Sequence, residues 1–434
     1  MAIGCISQTN VGELANTIFI GELSLDGKIN RINGVLPICI EAKELGIKKV
    51  VLPKANANEA AIISELDIIP ASDIKEVIKH LNKEQKINKF YTKNINFNEN
   101  YNIDFSEVKG QENVIRALEI AAAGGHNCIL IGSPGSGKTM MAKRLVTILP
   151  ELTIEEAMEV TKIHSISGEL EKDELVMRRP FRMPHHTVPI STIIGGGRIP
   201  QPGEISLAHC GVLFLDELTE FSRNVLESLR EPLENREVII NRLSGNYRYP
   251  CNFMLVASMN PCPCGYYGDE EKECRCTQQE IHKYLRKISG PLLDRIDIQI
   301  EVLRPKFEKI KTKEKSENSE TIRQRVNYAR KIQSERYKKY RIHSNAEITT
   351  KMALEFCKLD TKGEELLQNA FIKLKLSVRA YEKILKVART IADLDRKENI
   401  EFQHIAEAIQ YRSLDKYSIK EEGRRYGKDF NWIC

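Results

Sequence analysis

The stretch Gly-Ser-Pro-Gly-Ser-Gly-Lys-Thr, residues 132–139, matches the phosphate-loop pattern G-x-x-x-x-G-K-[ST] at every fixed position. Its glycines let successive backbone N–H groups turn toward phosphates, Lys138 supplies positive charge, and the Thr139 hydroxyl can ligate Mg²⁺. A strand-like run at 127–132 precedes the loop and a helical pattern at 140–149 follows it, which argues against a chance glycine-rich turn. The predicted nucleotide-binding residues are Gly132, Ser133, Pro134, Gly135, Ser136, Gly137, Lys138 and Thr139.

A second motif, Gly-Val-Leu-Phe-Leu-Asp-Glu at residues 211–217, reads as an apolar strand that ends in two carboxylates. We predict that Asp216 holds Mg²⁺ together with Thr139, and that Glu217 orients and deprotonates the attacking water. Taken alone, the segment could be a buried strand with an acidic end. Together with the phosphate loop it favours hydrolysis of ATP over mere binding.

Composition sets the broad class of the chain. Its 434 residues are 41% hydrophobic, enough to fill the cores of two or three domains. No apolar run of membrane-spanning length and no cleavable leader is evident, so we expect a cytoplasmic protein without membrane association. The eleven cysteines suit a reducing compartment, in which thiols stay free or bind metal.

The order of patterns predicts an α/β chain of several parts. Strands and helices alternate up to about residue 302, which indicates a doubly wound parallel sheet with the nucleotide at its strand ends. A helical pattern fills most of the remainder. The predicted parts are a small α/β domain at 1–82, a linker at 83–100, an ATPase core at 101–304, a basic linker at 305–318, a helical lid at 319–416 and a tail at 417–434.

Four cysteines follow the core's third predicted strand, as Cys262-Pro-Cys264 and Cys274-Arg-Cys276. Four soft ligands in one loop indicate a tetrahedral Zn²⁺ site, although C-x-C spacing is tighter than the usual C-x-x-C. Reduced thiols that stabilise a turn, or redox chemistry, are the alternatives.

Positive charge concentrates between residues 306 and 341, where 13 Lys or Arg stand against 5 Asp or Glu. Part of this stretch lies on a predicted helix and could follow a phosphate backbone, whereas a solvated basic face is the alternative. The residues of this basic stripe are Arg323, Arg325, Arg330, Arg336 and Lys339.

The whole arrangement resembles the magnesium-chelatase-like AAA+ ATPases, most closely the ComM/YifB family. Six segments carry the resemblance, at 108–111, 179–186, 195–197, 260–265, 290–297 and 411–415. It implies an AAA+ core with a helical lid that assembles into a homo-oligomeric ring, most simply a hexamer. It also implies that Asn260 is sensor 1, that Arg295 is an arginine finger acting on a neighbouring subunit's γ-phosphate, and that Arg379 is sensor 2. Without the resemblance, surface salt bridges would be the simpler interpretation of both arginines.

The resemblance also interprets two insertions. Residues 178–208 resemble the helix-2 insert of this clade, and residues 237–250 resemble the hairpin before sensor 1. Both are expected to project toward a central pore and touch a polyanion. The candidate contact residues are Arg179, Arg182, His185, His186 and Arg198. A metal site at the two histidines lacks a third ligand at usable spacing, so a hydrogen-bonded pair is the preferred interpretation.

The first part of the chain resembles the later half of a Lon-protease-like domain, through residues 21–27 and 42–53. The earlier half, which bears the nucleophile in that family, is not seen. We therefore expect no protease activity, and we expect residues 1–80 to be unstable or poorly soluble.

Three functions fit these features. The resemblance implies a ring motor on DNA, with helicase or branch-migration activity in natural transformation and recombination. A chelatase-type ATPase that drives metal insertion or remodels a partner protein is the alternative. A catalytically impaired binding module is the third, should the shortened first domain prevent assembly.

Overall fold

The computed structural model describes residue 14 and residues 16–91, 101–170, 175–243, 245–269, 271–305, 309, 316–340, 342–374 and 376–412. Residues 92–100 of the first predicted linker, most of the basic linker and the whole predicted tail lie outside these ranges. No helix among the described residues is both long enough and apolar enough to cross a membrane.

The first part of the chain is a small α/β unit whose sheet has three parallel strands in the order β1-β4-β5. Its strands are β1 (Thr17–Phe19), β2 (Glu22–Leu23), β3 (Ile29–Asn30), β4 (Lys49–Pro53) and β5 (Asp67–Ala71). Its helices are α1 (Val35–Glu44), α2 (Ala57–Ala60) and α3 (Ile74–Leu81). Because successive strand residues face opposite sides, Val50 packs with α1 and Val51 with α3. Helices therefore cover both faces, and the Lon-like assignment stays a prediction.

The central part contains a five-stranded parallel sheet in the order β14-β6-β13-β10-β7, which confirms the predicted α/β core. Its inner strands are continuously buried apolar runs, as expected for a sheet with both faces covered. The strands are β6 (Cys128–Ile131), β7 (Phe181–Arg182), β8 (Gly195–Gly196), β9 (Gln201–Pro202), β10 (Val212–Leu215), β11 (Glu237–Arg242), β12 (Gly245–Pro250), β13 (Met254–Met259) and β14 (Ile298–Glu301).

Nine helices among the described residues accompany these strands. They are α4 (Glu112–Gly124), α5 (Lys138–Arg144), α6 (Ile154–Ser167), α7 (Ile190–Ile194), α8 (Glu204–Leu207), α9 (Arg223–Ser228), α10 (Arg230–Asn235), α11 (Gln278–Leu285) and α12 (Gly290–Leu293). Helix α6 begins with a capping box, in which Thr153 and Glu156 each satisfy the other's backbone N–H. Helix α4 packs along the sheet and faces two helices of the region 319–410.

Residues 319–410 are mainly helical, as predicted, with α13 (Ser319–Arg336), α14 (Thr350–Phe356), α15 (Thr361–Lys373), α16 (Val378–Leu394) and α17 (Phe402–Gln410). Residues of α13 and α16 share one continuous apolar cluster with α4 and the sheet. The helical part is therefore packed onto the core, and its nearest helices are fixed relative to the sheet.

The basic stripe on α13 is held by groups of its own chain. Arg325 pairs with Glu119 and Glu317, Arg336 pairs with Asp393, and Arg323 pairs with Glu320. Arg330 donates to the carbonyl oxygen of Ala122 at 3.1 Å. The interpretation of this stripe as a free track for a phosphate backbone is therefore wrong for its four arginines.

The first unit docks on α6 of the core through a buried carboxylate. Glu59 is 1% exposed, accepts from the backbone N–H of Leu36 at 2.8 Å and accepts from the Ser165 hydroxyl. The Gly34 N–H also donates to the Ser165 carbonyl at 3.0 Å. A buried charge is tolerated only with such partners, so this contact ties the unit to the end of α6.

Candidate nucleotide-hydrolysis site

The phosphate loop joins the end of β6 to the start of α5, where the sequence places it. Gly135 and Gly137 have φ of 78° and 92°, a left-handed region that favours glycine. A Cβ at Gly132 would lie 2.2 Å from the carbonyl oxygen of Val302, so no side chain fits there. The three glycines thus allow the backbone to curl over the end of the strand.

Lys138 lies folded across this loop. Its Nζ donates to the carbonyl oxygens of Gly132 and Ser133 at 2.6 and 3.0 Å, and to Asn260 Oδ1 at 3.2 Å. Burial lowers the pKa of Lys138, while the negative charges of Asp216 and Glu217 oppose that shift. The structure therefore brings the predicted phosphate-binding lysine and the predicted sensor 1 into direct contact.

The two predicted Mg²⁺ ligands also meet. The Thr139 hydroxyl donates to Asp216 Oδ2 at 2.8 Å, which leaves hard oxygen atoms of both residues side by side at the strand ends. Ser258 on β13 donates its hydroxyl to Asp216 Oδ1 and accepts from the backbone N–H of Glu217 at 3.2 Å. Sequence reasoning missed Ser258, whose only signal is a hydroxyl within an otherwise apolar strand.

Glu217 extends from a strained backbone position next to Asp216. Its φ of 53° lies in the left-handed region, and its side chain is 58% exposed. His186 Nδ1 lies 3.8 Å from Glu217 Oε2, and the ring of His185 is 4.2 Å from that of His186. His186 thus faces the predicted water-activating carboxylate, while His185 Nδ1 contacts Thr187 Oγ1 at 2.8 Å.

The polar atoms of the loop fit a phosphate-bearing ligand. Gln111, the N-cap residue of α4, donates to the carbonyl oxygen of Ser136 at 2.8 Å and so supports the loop. The Ser136 hydroxyl is buried and has no hydrogen-bond partner among the described residues. An unsatisfied buried hydroxyl is costly, and a ligand that supplies acceptors would remove that cost.

The phosphate loop lies at the carboxyl ends of the parallel strands, which we call the carboxyl edge of the sheet. Arg295 and Arg379 lie at the opposite, amino ends of these strands, which we call the amino edge. Arg295 shortly precedes β14, whose first residue pairs with Cys128 at the start of β6, whereas the phosphate loop follows the end of β6. Asn127, just before β6, donates its side-chain amide to the Arg295 carbonyl at 2.9 Å. Four strand residues span about 13 Å. Arg295 therefore does not lie beside its own chain's phosphate loop.

Arg379 shares this amino edge. Its guanidinium donates to Asp294 Oδ2 at 3.0 Å, next to Arg295. Both arginines line one open cavity of about 910 Å³, to which no residue of the phosphate loop contributes. Arg379 on α16 therefore lies away from its own chain's phosphate loop, because its contact with Asp294 holds it at the amino edge.

Arg295 is held by its own chain in this structure. It pairs with Glu234 and donates to the carbonyl oxygen of Pro291 at 2.8 Å. Its Nε is buried without a hydrogen-bond partner among the described residues. The Arg295 guanidinium therefore has one N–H group, at Nε, without an acceptor, and its carboxylate partner Glu234 is exposed.

Asp297 anchors the amino edge to α16. It pairs with Lys383 and accepts from His126 Nδ1 at 3.1 Å, while His126 Nε2 contacts Thr390 Oγ1 at 2.8 Å. Burial would raise the pKa of Asp297, but Lys383 and His126 hold it well below its usual range. Burial lowers the pKa of His126.

The four cysteines converge as predicted. Cys262 Sγ lies 3.3 Å from Cys264 Sγ and 3.7 Å from Cys274 Sγ, and the last two sulfurs are 3.5 Å apart. All four sulfurs, including that of Cys276, lie within 4.8 Å of one another and none forms a disulfide. Zn–S bonds of about 2.3 Å in a tetrahedron separate sulfurs by about 3.8 Å, so the donor set fits Zn²⁺.

The two insertions form adjacent hairpins, β8 with β9 and β11 with β12. Tyr249 donates its hydroxyl to the Pro200 carbonyl at 3.0 Å, which joins the hairpins side by side. Ile199 and Leu243 at their tips are 74% and 111% exposed. Arg198 and Arg242 beside them are exposed and have no carboxylate partner among the described residues.

Two of the predicted polyanion contacts are instead structural. Arg182 pairs with Glu204 and Glu169. Arg179 pairs with Glu156 at 3.0 Å and donates to the Cys210 carbonyl at 2.6 Å. These partners come from distant parts of the chain, and only Arg198 of the predicted arginines remains available at a hairpin tip.

The strand-end motifs and the parallel sheet define a P-loop ATPase core of the AAA+ class. Residues 104–310 match the family described as magnesium chelatase, subunit ChlI, and residues 316–412 match its C-terminal family. Residues 1–56 match the family described as subunit ChlI of Mg-chelatase.

Individual relatives agree. The chain is 41% identical to competence protein ComM of Haemophilus influenzae over 422 residues, which cover 95% of this chain and 82% of that protein. It is 40% identical to the uncharacterized protein YifB of Escherichia coli over 418 residues, or 95% of this chain and 80% of that protein. The magnesium-chelatase 38 kDa subunit of Rhodobacter capsulatus is 26% identical over 222 residues, 46% of this chain and 56% of that subunit. The chain belongs to the ComM/YifB family of magnesium-chelatase-like AAA+ ATPases.

Proposed function

We propose that this chain is a subunit of a homo-oligomeric ring, most simply a hexamer, that hydrolyses ATP to move along or remodel DNA in the cytoplasm. The observation that carries the proposal is the separation of the catalytic groups. Lys138 and Glu217 occupy the carboxyl edge of the sheet, and Arg295 occupies the amino edge. Head-to-tail contact between two chains joins one edge to the other, and repetition of that contact closes a ring.

In this proposal each residue has one role. The phosphate loop and Lys138 bind the triphosphate, while Thr139 and Asp216 hold the Mg²⁺ that neutralises phosphate charge. Glu217 deprotonates the attacking water, which Asn260 helps to orient. Arg295 and Arg379 approach the nucleotide of the adjacent subunit and stabilise the charge that develops there.

DNA is the proposed substrate because of the paired hairpins. Arg198 and Arg242 stand at the exposed tips beside Ile199 and Leu243, an arrangement of cations and apolar groups suited to a nucleic-acid strand. A relative's description as a competence protein also supports DNA. More specifically, we propose that the action on DNA is helicase or branch-migration activity.

The cysteine loop, with its four thiols, is proposed to bind Zn²⁺.

The test is ATP turnover with and without single-stranded or forked DNA, measured over a range of salt and alongside oligomer mass with ATP present. Arg198→Ala/Arg242→Ala should weaken DNA binding about tenfold or more and reduce its salt dependence, because two phosphate contacts are lost. Basal turnover should remain.

A matched control removes two charges elsewhere. Lys362→Ala/Lys373→Ala on exposed positions of α15 should leave DNA stimulation intact. Turnover that DNA never changes at any salt concentration would refute the DNA motor and favour the chelatase-type alternative. Equal loss in both double variants would show that general charge, and not the hairpin tips, attracts DNA.

A further inference from the structure

The cysteine loop, residues 262–276, lies directly against the phosphate loop. A Cβ at Gly265 would fall 2.7 Å from Pro134 Cδ, so the two loops touch with no room for a side chain between them. The φ of Gly265 is 86°, which adds a second reason for glycine at this position. The same added Cβ would lie 3.9 Å from Asn260 Cγ. The cysteine loop therefore lies against the phosphate loop and begins two residues after the predicted sensor, Asn260.

Polar contacts reinforce this seam through Arg304, which follows β14. Its guanidinium donates to Ser133 Oγ at 3.2 Å and to the Pro134 carbonyl at 3.0 Å. From the cysteine loop, Asp269 lies 3.7 Å from Arg304 Nε, and the Tyr266 ring lies 5.7 Å from the guanidinium carbon. The Asp269 side chain is only 6% exposed. Arg304 therefore contacts the cysteine loop on one side and the phosphate loop on the other.

The described residues of the cysteine loop form neither helix nor strand. Such a segment has little to fix its shape, because ordering each backbone residue costs about 1–2 kcal/mol. A metal bound by four thiolates would supply that order, since metal binding and local folding are thermodynamically linked.

We propose that the cysteine loop is a Zn²⁺-dependent clamp on the phosphate loop: one Zn²⁺ held by Cys262, Cys264, Cys274 and Cys276 fixes Tyr266 and Asp269, which hold Arg304 against Ser133 and Pro134. Metal occupancy thereby sets nucleotide affinity. The inference rests on the nucleotide site and on the Zn²⁺ site of the proposed function, and adds a coupling between them.

The first measurement compares metal content with nucleotide affinity in the full chain, purified under reducing conditions from medium that contains zinc. A fluorescent ADP analogue reports affinity, and mass spectrometry reports zinc. We expect one zinc per chain in the natural protein. Cys274→Ser should lose the zinc and bind the analogue about tenfold more weakly, because several contacts to the phosphate loop are released together. Cys357→Ala, in the helical core, should change neither quantity.

The second measurement separates the clamp from simple loss of folding. Asp269→Asn keeps all four thiols and should retain zinc while it binds the analogue about threefold more weakly, because an ionic contact to Arg304 is lost. Unchanged affinity for the ADP analogue in zinc-free Cys274→Ser would overturn the proposed clamp. Absence of zinc from the natural protein would overturn the assignment of Zn²⁺ to the four cysteines. Lys138→Ala is the reference: if it abolishes binding while Cys274→Ser does not weaken it, the nucleotide site stands and the clamp alone fails.

Discussion

The carboxyl edge and the amino edge of the five-stranded sheet each lack residues that the other edge holds. At the carboxyl edge, Lys138, Thr139 and Asp216 already contact one another or their loop, and no arginine of the predicted catalytic set is present. At the amino edge, Arg295 and Arg379 sit beside carboxylates of their own chain, with no phosphate-binding loop near them. Under the proposed function, each edge holds half of the catalytic groups, and hydrolysis begins only when the amino edge of one chain meets the carboxyl edge of another.

The largest expected effect comes from breaking the amino edge. Arg295→Ala should leave nucleotide affinity within about twofold and lower turnover about a thousandfold, because the arginine acts on transition-state charge and not on the bound ground state. Single-turnover hydrolysis and equilibrium binding, measured on the same preparation, check the two halves of this prediction.

Mixing subunits tests the direction of the contact. Glu217→Gln should be inactive because its carboxyl edge lacks the proposed base. Arg295→Ala should be inactive because its amino edge lacks the proposed arginine finger. In a ring of both, about a quarter of the interfaces would pair two intact edges, so activity should reappear. Rings of mixed subunits that stay inactive would mean that both groups serve one chain's nucleotide, contrary to the separation of the edges.

A smaller effect is expected where the amino edge joins the helical part. Asp297→Asn leaves the Lys383 ammonium, 14% exposed, without its carboxylate, and should lower the free energy of unfolding by about 3 kcal/mol. The folded-state pKa of Asp297 is lowered, so its contribution is present above an unfolded pKa of about 3.9 and is lost as pH falls further. The difference from the natural protein should therefore hold from pH 8 to 5 and shrink below about pH 4 in denaturant titrations.

The control for that titration is an exposed ion pair. Glu65→Gln breaks the contact with Lys43, in which both side chains are about half exposed, and should leave the unfolding midpoint unchanged. An equal loss in both variants would mean that the buried pair has no special role in holding the amino edge.

Local pattern indicated residues that the structure brings together at the carboxyl edge, because a phosphate loop and an acidic strand end are each contiguous in sequence. Pattern could not place Arg379 relative to the sheet, since its position depends on how α16 packs and brings it to Asp294. It also misjudged Arg182, whose carboxylate partners are supplied by α8 and by Glu169, just after α6. Charge is visible in a sequence, but the partner that neutralises it is visible only in the fold.

Ser258 is the residue that sequence reasoning missed, and it gives the smallest expected effect. Ser258→Ala removes the donor to Asp216 Oδ1 and the acceptor for the Glu217 N–H, so the predicted metal ligand and the predicted base both lose their support. We expect turnover to fall about tenfold, with a higher Mg²⁺ concentration for half-maximal rate, because one or two hydrogen bonds are lost. Ser258→Thr keeps the hydroxyl and should restore the Mg²⁺ dependence. A residue that merely fills β13 would lower stability in both variants and leave the Mg²⁺ dependence unchanged, which would contradict a role for Ser258 in the carboxyl edge.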